Sequence, residues 1–288
     1  MFSKYKGEIG LGLTALIWGS GFIGVSISLS GGLTPLQIMT IRFFIGAVLL
    51  GIIFFKEIKN NITKEAVKAG SMIGVFLFIA FAFQTIGMSY TTASKNAFLT
   101  AVYCAIVPFL VWIFYRKRPD NYNFMAAVLC VLGVGLVSLD GDLSINMGDL
   151  LTLIGGLFYA FHILAIKKYS KEMHPIKLTT LQFAMTAVLA FLGSLFFEDI
   201  SLIKQIDSSI IIQIGYLAFF ATAVTLLCQN VGQHLVSECN AAILLSLESV
   251  FGAFFSVLFY VIGTLRSNFL LHKKLLPITQ QKFYFDFS

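Results

Sequence analysis

Nine stretches of about twenty consecutive residues, nearly free of charge, run through this chain, and a bilayer core needs roughly that length of apolar helix to be crossed. They cover approximately residues 8–29, 36–55, 69–89, 96–115, 122–139, 147–166, 178–197, 209–230 and 239–262. Runs of that length read as helices, because lipid offers the backbone no hydrogen-bond partners and a helix satisfies its own. The gaps are short and hold most of the Pro, Lys, Asp and Glu, so no soluble domain fits between them. Only 12% of the 288 residues are charged and 58% are hydrophobic, against about 25% charged in a soluble globular domain. An ordinary cytosolic enzyme is thereby excluded, and 15% aromatic content excludes a disordered chain. The expected fold class is all-α integral membrane.

Lys and Arg accumulate in cytoplasmic loops, and here they alternate from gap to gap. The N-terminal segment and the second, fourth and sixth gaps hold thirteen, from Lys4 to Lys177, whereas the first, third, fifth and seventh hold only Lys95 and Lys204. The expectation is a multi-pass protein of the plasma membrane with a cytoplasmic N-terminus. The net charge of +6 is then a topology signal, and no nucleic-acid partner is expected. Cys104, Cys130, Cys228 and Cys239 show neither a disulfide framework nor metal-ligand spacing. No metal or cofactor is implied.

A shift of 140 residues lays the segment Thr34–Phe43 over His174–Phe183, so that Pro35, Thr40 and Phe43 meet Pro175, Thr180 and Phe183. A shift of 145 lays Phe83-Gln84-Thr85-Ile86-Gly87 over Cys228-Gln229-Asn230-Val231-Gly232. Each repeat unit therefore holds five spans, and an odd number inverts the second copy in the membrane. The organisation read from this is a first repeat at 1–143 (spans one to five), a second at 144–262 (spans six to nine) and an atypical polar tail at 263–288, with the tenth span missing or degenerate. Because nine spans would leave Arg266, Lys273, Lys274 and Lys282 outside, the expectation is a C-terminus truncated or frame-shifted relative to its relatives. Inverted repeats are a hallmark of secondary transporters, with a site at the midplane between the halves.

Trp18-Gly19, Arg42-Phe43, Gln84 with Tyr90-Thr91, Lys95 to Thr100 followed by Pro108, and Leu247-Glu248-Ser249-Val250-Phe251 together resemble the drug/metabolite transporter superfamily in its EamA-type form. The resemblance covers roughly residues 8 to 260. It implies a ten-helix permease that exports or exchanges small metabolites, often amino acids or amines, through a central cavity. Ser249 stands where the family usually has proline, which leaves no proline to kink the ninth span.

Ionisable groups within spans cost about 2.5–3.5 kcal/mol each at the bilayer centre, so each calls for a reason. Glu248 reads either as a protonatable cavity group for the cationic part of a solute or as a neutral acid bonded to a neighbouring helix. Arg42 reads as an anchor snorkelling to the headgroups, an interhelical ion pair, or a holder of a carboxylate. His162 reads as a proton carrier or a satisfied core residue. Gln84 and Gln229, symmetry-related amides, face a common cavity or simply bond between helices. Trp18, Phe22, Tyr103 and Tyr159 read as an aromatic wall or as core packing. Trp18, Arg42, Gln84, Tyr103, His162, Gln229 and Glu248 are the expected binding residues for a small-molecule metabolite, and none is expected to be catalytic.

Small residues four apart, such as Ala15 and Gly19 or Gly70 and Gly74, are expected to let helices approach closely. Pro108 is expected to kink the fourth span. The GxGxxG at Gly19–Gly24 lies inside a span with no preceding strand, so nucleotide binding is not implied. Asp140–Asn146 lacks the glycine and closing glutamate of a calcium loop, and Asn61-Ile62-Thr63 lies on the cytoplasmic side, where a sequon is not used. No nucleotide or hydrolase signature supports ATP-driven transport or catalysis. The leading expectation is outward movement of a small organic metabolite by alternating access. A lipid-acting membrane enzyme, a transport-inactive protein and a homodimer remain open at this stage.

Overall fold

In the computed structural model, described for residues 5–59, 62–138, 146–199 and 207–275, the regular structure is entirely helical. Side chains are described for the same residues except 134–138 and 263–275. Eight segments are long and apolar enough to cross a membrane, and a shorter apolar helix adds a ninth. In chain order these are α1 (Lys6–Ser30), α2 (Pro35–Ile53), the short α3 (Phe55–Lys59) and α4 (Lys64–Met88). The fourth span is α5 (Ala93–Thr100) with α6 (Tyr103–Tyr115), and the fifth is α7 (Asn121–Ser138). The sixth and seventh are α8 (Met147–Tyr169) and α9 (Pro175–Phe197). The eighth comprises α10 (Ser208–Ala218), a π-helical turn (Phe219–Val224) and α11 (Thr225–Leu235), and the ninth α12 (Glu238–Ser246) and α13 (Glu248–Leu275). The backbone of α13 thus carries the helix into the segment expected to be a polar tail. Residues 276–288, and most of the Asp140–Asn146 loop, lie outside the described residues.

Polar residues at the gaps set the helix starts. Thr34 forms a capping box with Gln37 ahead of Pro35, which supplies the fixed φ of a first helical residue. Glu198 from the end of α9 adds acceptors: its carboxylate takes the Leu36 N–H at 2.8 Å and the Gln37 N–H at 3.1 Å, as well as the Thr34 hydroxyl. Thr92 and Ser237, counterparts under the 145-residue shift, cap α5 and α12 by accepting from the N–H three residues on.

The repeat is visible in how helices touch. Gly87 of α4 lies so close to Gly148 and Thr152 of α8 that an added Cβ would fall 2.8 Å from the Gly148 carbonyl. Gly232 of α11 makes the corresponding approach to Gly7 and Leu11 of α1, 3.0 Å from the Gly7 carbonyl. Spans three and six thus pair as spans eight and one do. Phe43 and Phe183, equivalent under the 140-residue shift, meet edge to face at 5.6 Å where α2 crosses α9. Of the small-residue pairs, Gly19 abuts Phe251 and Gly252, and Gly74 abuts Gln182 and Met185. Gly51, which lies four residues after Ala47, faces open space instead.

Spans four and nine are both interrupted, at Ala101-Val102 and at Leu247. The two second halves begin at Tyr103 and Glu248, again 145 residues apart. No proline is needed at Leu247: its N–H turns to the carbonyl three residues back, Leu244, at 3.4 Å. The Ser246 and Ser249 hydroxyls also bond to carbonyls three residues back, at 2.8 Å each, competing with the helical ladder. Pro108 sits inside α6, more than a turn beyond the interruption.

Candidate functional site

The two interruptions face each other at the centre of the molecule. The Tyr103 hydroxyl donates to Glu248 Oε1 at 2.9 Å, and both side chains are buried. Residues at equivalent places in the two repeats therefore form one pair across the pseudo-symmetry axis. Around them lies a small cavity of about 40 Å³, roomy enough for water.

Two helix faces wall it. One is Trp18, Gly21, Phe22 and Val25 of α1, and the other is Phe81, Gln84, Thr85 and Met88 of α4, each spaced i, i+3, i+4, i+7 as one helical face requires. These segments lie past the midpoint of α1 and at the end of α4, so the cavity extends from the centre toward the face of the molecule that carries Thr34.

Arg42 also lines the cavity. The expectation that it snorkels to the headgroups is not met, because it is 3% exposed and turned inward. Its Nε donates to Thr222 Oγ1 at 2.9 Å and its Nη2 to the Ala221 carbonyl at 3.2 Å. The π-turn explains this acceptor. Widening the helix there takes Ala221 O out of the ordinary ladder, and Trp18 Nε1 shares it at 3.1 Å. The Arg42 guanidinium also lies 5.0 Å from the Phe81 ring centroid, a cation–π distance. Among the described residues no carboxylate pairs with Arg42; the ion pair found is Lys95 with Asp149, at 2.8 Å. A cation and a carboxyl group thus line one cavity, each held by neutral partners.

Both ends of the Gln84 amide are engaged. It accepts from the Tyr159 hydroxyl at 2.9 Å and donates to Thr100 Oγ1 at 3.0 Å. Asn96 Nδ2 donates to the Gln84 main-chain carbonyl at 3.0 Å and to Thr152 Oγ1 at 2.8 Å, so the backbone that carries the amide is braced as well. Trp18, Arg42, Gln84, Tyr103 and Glu248 are gathered on this cavity, and Phe22 and Tyr159 line it with them.

His162 and Gln229 are elsewhere. His162 Nε2 lies 2.9 Å from Gln182 Oε1, both residues fully buried. Gln229 is buried in α11 with Oε1 unpartnered. Gln84 and Gln229 therefore do not face a common cavity: symmetry sets them on opposite sides of the centre. Thr222 and Ala221 were not singled out by sequence. The one local hint was a threonine in an apolar run, whose hydroxyl bonds five residues back to Leu217 O at 2.8 Å.

A crystal structure among the solved structures that match has a TM-score of 0.64 at 14% identity, covering 88% of this chain and 87% of the other, a likeness of fold. An uncharacterized transporter from Archaeoglobus fulgidus is 34% identical over 250 residues, 87% of this chain and 77% of that protein. The uncharacterized transporter YyaM of Bacillus subtilis is 25% identical over 244 residues, 80% of this chain and 79% of its own length. The EamA-like transporter family model matches residues 5–139 and again 146–264. On these matches, this multi-pass membrane protein is a transporter and belongs to the EamA-like transporter family.

Proposed function

We propose that the protein exports a small zwitterionic or amine-bearing metabolite across the plasma membrane by alternating access, binding it at the midplane between Glu248 and Arg42. The supporting observation is the Tyr103–Glu248 pair, formed by equivalent residues at the interruptions of two inverted spans and exposed to a cavity that also presents a cation. An ammonium group takes the Glu248 carboxylate and a carboxylate takes the Arg42 guanidinium, which then exchanges neutral acceptors for a charged one. Trp18, Phe22 and Tyr159 enclose the apolar part of the solute, and the braced Gln84 amide fixes its orientation.

The repeats proposed to move against each other are residues 1–143 and 144–262. In the orientation favoured by thirteen Lys and Arg on alternate loops, the Thr34 face is extracellular and the conformation described is the one whose cavity extends outward. Purified protein in proteoliposomes, loaded with a pooled set of radiolabelled small amino acids and amines, tests the proposal. Efflux from the wild type that falls at least tenfold in folded Glu248→Gln and Gln84→Ala variants is expected. Unchanged flux in both would remove the proposed site.

A further inference from the structure

The same repeat correspondence can be carried around the whole cavity wall. With Gly7 laid over Gly148, whose close approaches correspond, a shift of 141 matches Trp18, Gly21, Phe22 and Val25 of α1 to Tyr159, His162, Ile163 and Ile166 of α8. Phe81, Gln84, Thr85 and Met88 of α4 correspond to Leu226, Gln229, Asn230 and Gln233 of α11, and Arg42 corresponds to Gln182. The first set lines the cavity, and of the second set Tyr159 alone joins it there, while the other residues of the second set are buried away from that cavity.

This buried set is polar and unsatisfied. His162 Nδ1, Gln182 Nε2, Gln229 Oε1, Asn230 Oδ1 and Gln233 Oε1 all lack a hydrogen-bond partner, although such groups cost about 1–3 kcal/mol each when left unpaired. Two orientations are fixed by the other end of the amide: Asn230 Nδ2 donates to Leu226 O at 2.8 Å and Gln233 Nε2 to Ile163 O at 3.5 Å. His162 donates from Nε2 to Gln182 Oε1, which leaves Nδ1 an acceptor. The unpaired atoms are thus four acceptors and one donor. A core selected only for packing has no use for this arrangement.

A clasp joins the ends of α8 and α11 that carry this set. Lys167 at the end of α8 donates to the carbonyls of Gln233 at 2.9 Å, His234 at 3.3 Å and Val236, which end α11. His234 Nδ1 returns to Ser170 O at 2.7 Å. Ser26, the counterpart of Lys167 on the cavity side, makes no such bond to α4 among the described residues.

We propose that His162, Gln182, Gln229, Asn230 and Gln233 form a second hydrogen-bonding site, closed here by the Lys167 clasp, that opens on the Lys167 face and takes a solute rich in N–H or O–H donors. This rests on the alternating-access reading above and names the opposite half of its path. Four acceptors with no charge among them satisfy a primary ammonium or hydroxyl-bearing solute and leave an N-trimethyl group unbonded.

The test uses full-length protein with its four native cysteines replaced by alanine, reconstituted in vesicles and labelled with a membrane-impermeant maleimide from either side. Met88→Cys reports the Thr34 face, and Asn230→Cys and Gln233→Cys report the Lys167 face. Adding Lys167→Met should raise labelling of the two latter cysteines from the Lys167 face several-fold and slow that of Met88→Cys. Unchanged rates, or labelling of Gln233→Cys from the Thr34 face, would overturn the proposal. Asn230→Leu and Gln233→Leu supply an independent readout. A latent site makes their thermal stability in detergent equal to or above the wild type, whereas a structural role for these amides lowers it and counts against the proposal.

Ligand class is read from thermal stabilisation by pooled small amino acids against the matching N-trimethyl betaines. Preference for the amino acids in the wild type, lost in Gln229→Leu with Gln233→Leu, is expected. Equal stabilisation by both pools, or none by either, refutes the donor-rich class. Failure of the midplane site alone is distinguishable, since Glu248→Gln flux would then be unchanged while the Lys167→Met labelling shift persists.

Discussion

Gly87→Ala isolates how closely spans three and six must approach. An added Cβ would lie 2.6 Å from Thr152 Oγ1 and 2.8 Å from the Gly148 carbonyl oxygen. The second contact is with backbone, which cannot rotate away, so α4 and α8 must separate by a few tenths of an ångström. Overpacking of this kind costs about 1–3 kcal/mol, while replacing a helical glycine by alanine returns about 0.5–1 kcal/mol. The net expectation is a loss of up to about 2 kcal/mol. Gly51→Ala is the internal control, because nothing lies within 4 Å of its added Cβ and only the gain applies. Gly232→Ala falls between them: its closest contact, at 2.8 Å, is Leu11 Cγ, a side-chain atom, and the Gly7 carbonyl lies at 3.0 Å. Thermal unfolding of purified protein in detergent, followed by loss of monodisperse elution, should rank the variants Gly51→Ala above wild type, then Gly232→Ala, then Gly87→Ala. If Gly87→Ala is as stable as Gly51→Ala, spans three and six do not pack in the way described, and the repeat correspondence built on them fails with it.

Tyr103→Phe leaves the Glu248 carboxyl without its donor and should cost about 1–3 kcal/mol of stability. A double-mutant cycle with Glu248→Gln should then show a coupling above about 0.5 kcal/mol, and additivity would deny the pair. Lys95→Met leaves Asp149, which is 0% exposed, buried without its ion-pair partner, for a loss of about 3–5 kcal/mol. Lys95→Met with Asp149→Leu should recover most of that loss, and no recovery in the same unfolding assay would contradict the assignment. Glu198→Ala removes the carboxylate that receives the first N–H groups of α2, which should cost about 1–2 kcal/mol. It should also speed hydrogen exchange at Leu36 and Gln37, and unchanged exchange there would refute the cap.

Length and charge made the spans readable, because a bilayer imposes the same requirement on every crossing and the requirement is written as about twenty apolar residues. The breaks in spans four and nine were not readable in that way. Breaking a helix at Leu247 takes two serine hydroxyls and one residue turned to a three-residue bond, and none of these stands out in an apolar run. The π-turn at Phe219–Val224 was hidden for a related reason: its cause is the partner it serves. Ala221 O is freed to receive Trp18 and Arg42 from two other helices, and a side chain some 180 residues away leaves no local mark. Of the three readings open for Arg42, snorkelling to the headgroups is the cheapest fate for an arginine near a span's end until such acceptors exist.

Symmetry is where the sequence held more than composition and motif could extract. The repeat pairs Gln84 with Gln229 and by itself leaves open whether the two amides face one cavity or bond between helices, and the inversion of the second repeat sets them on opposite sides. Equivalent residues near the axis share the cavity, as Tyr103 and Glu248 or Trp18 and Tyr159 do, while those away from it go to opposite sides, one lining the cavity when its counterpart is packed. Applied to the helical face of Gln229, that rule adds Asn230 and Gln233 at i+1 and i+4, and these are the amides found buried with unpaired oxygens. A buried, unsatisfied face whose symmetry mate lines a cavity is what a two-state path requires, since stabilisation complete in one conformation would hold the molecule there. Under the alternating-access proposal, the unpaired groups at His162, Gln182, Gln229, Asn230 and Gln233 would keep the two conformations close in free energy, and the three carbonyl bonds of Lys167 would set which is favoured without solute.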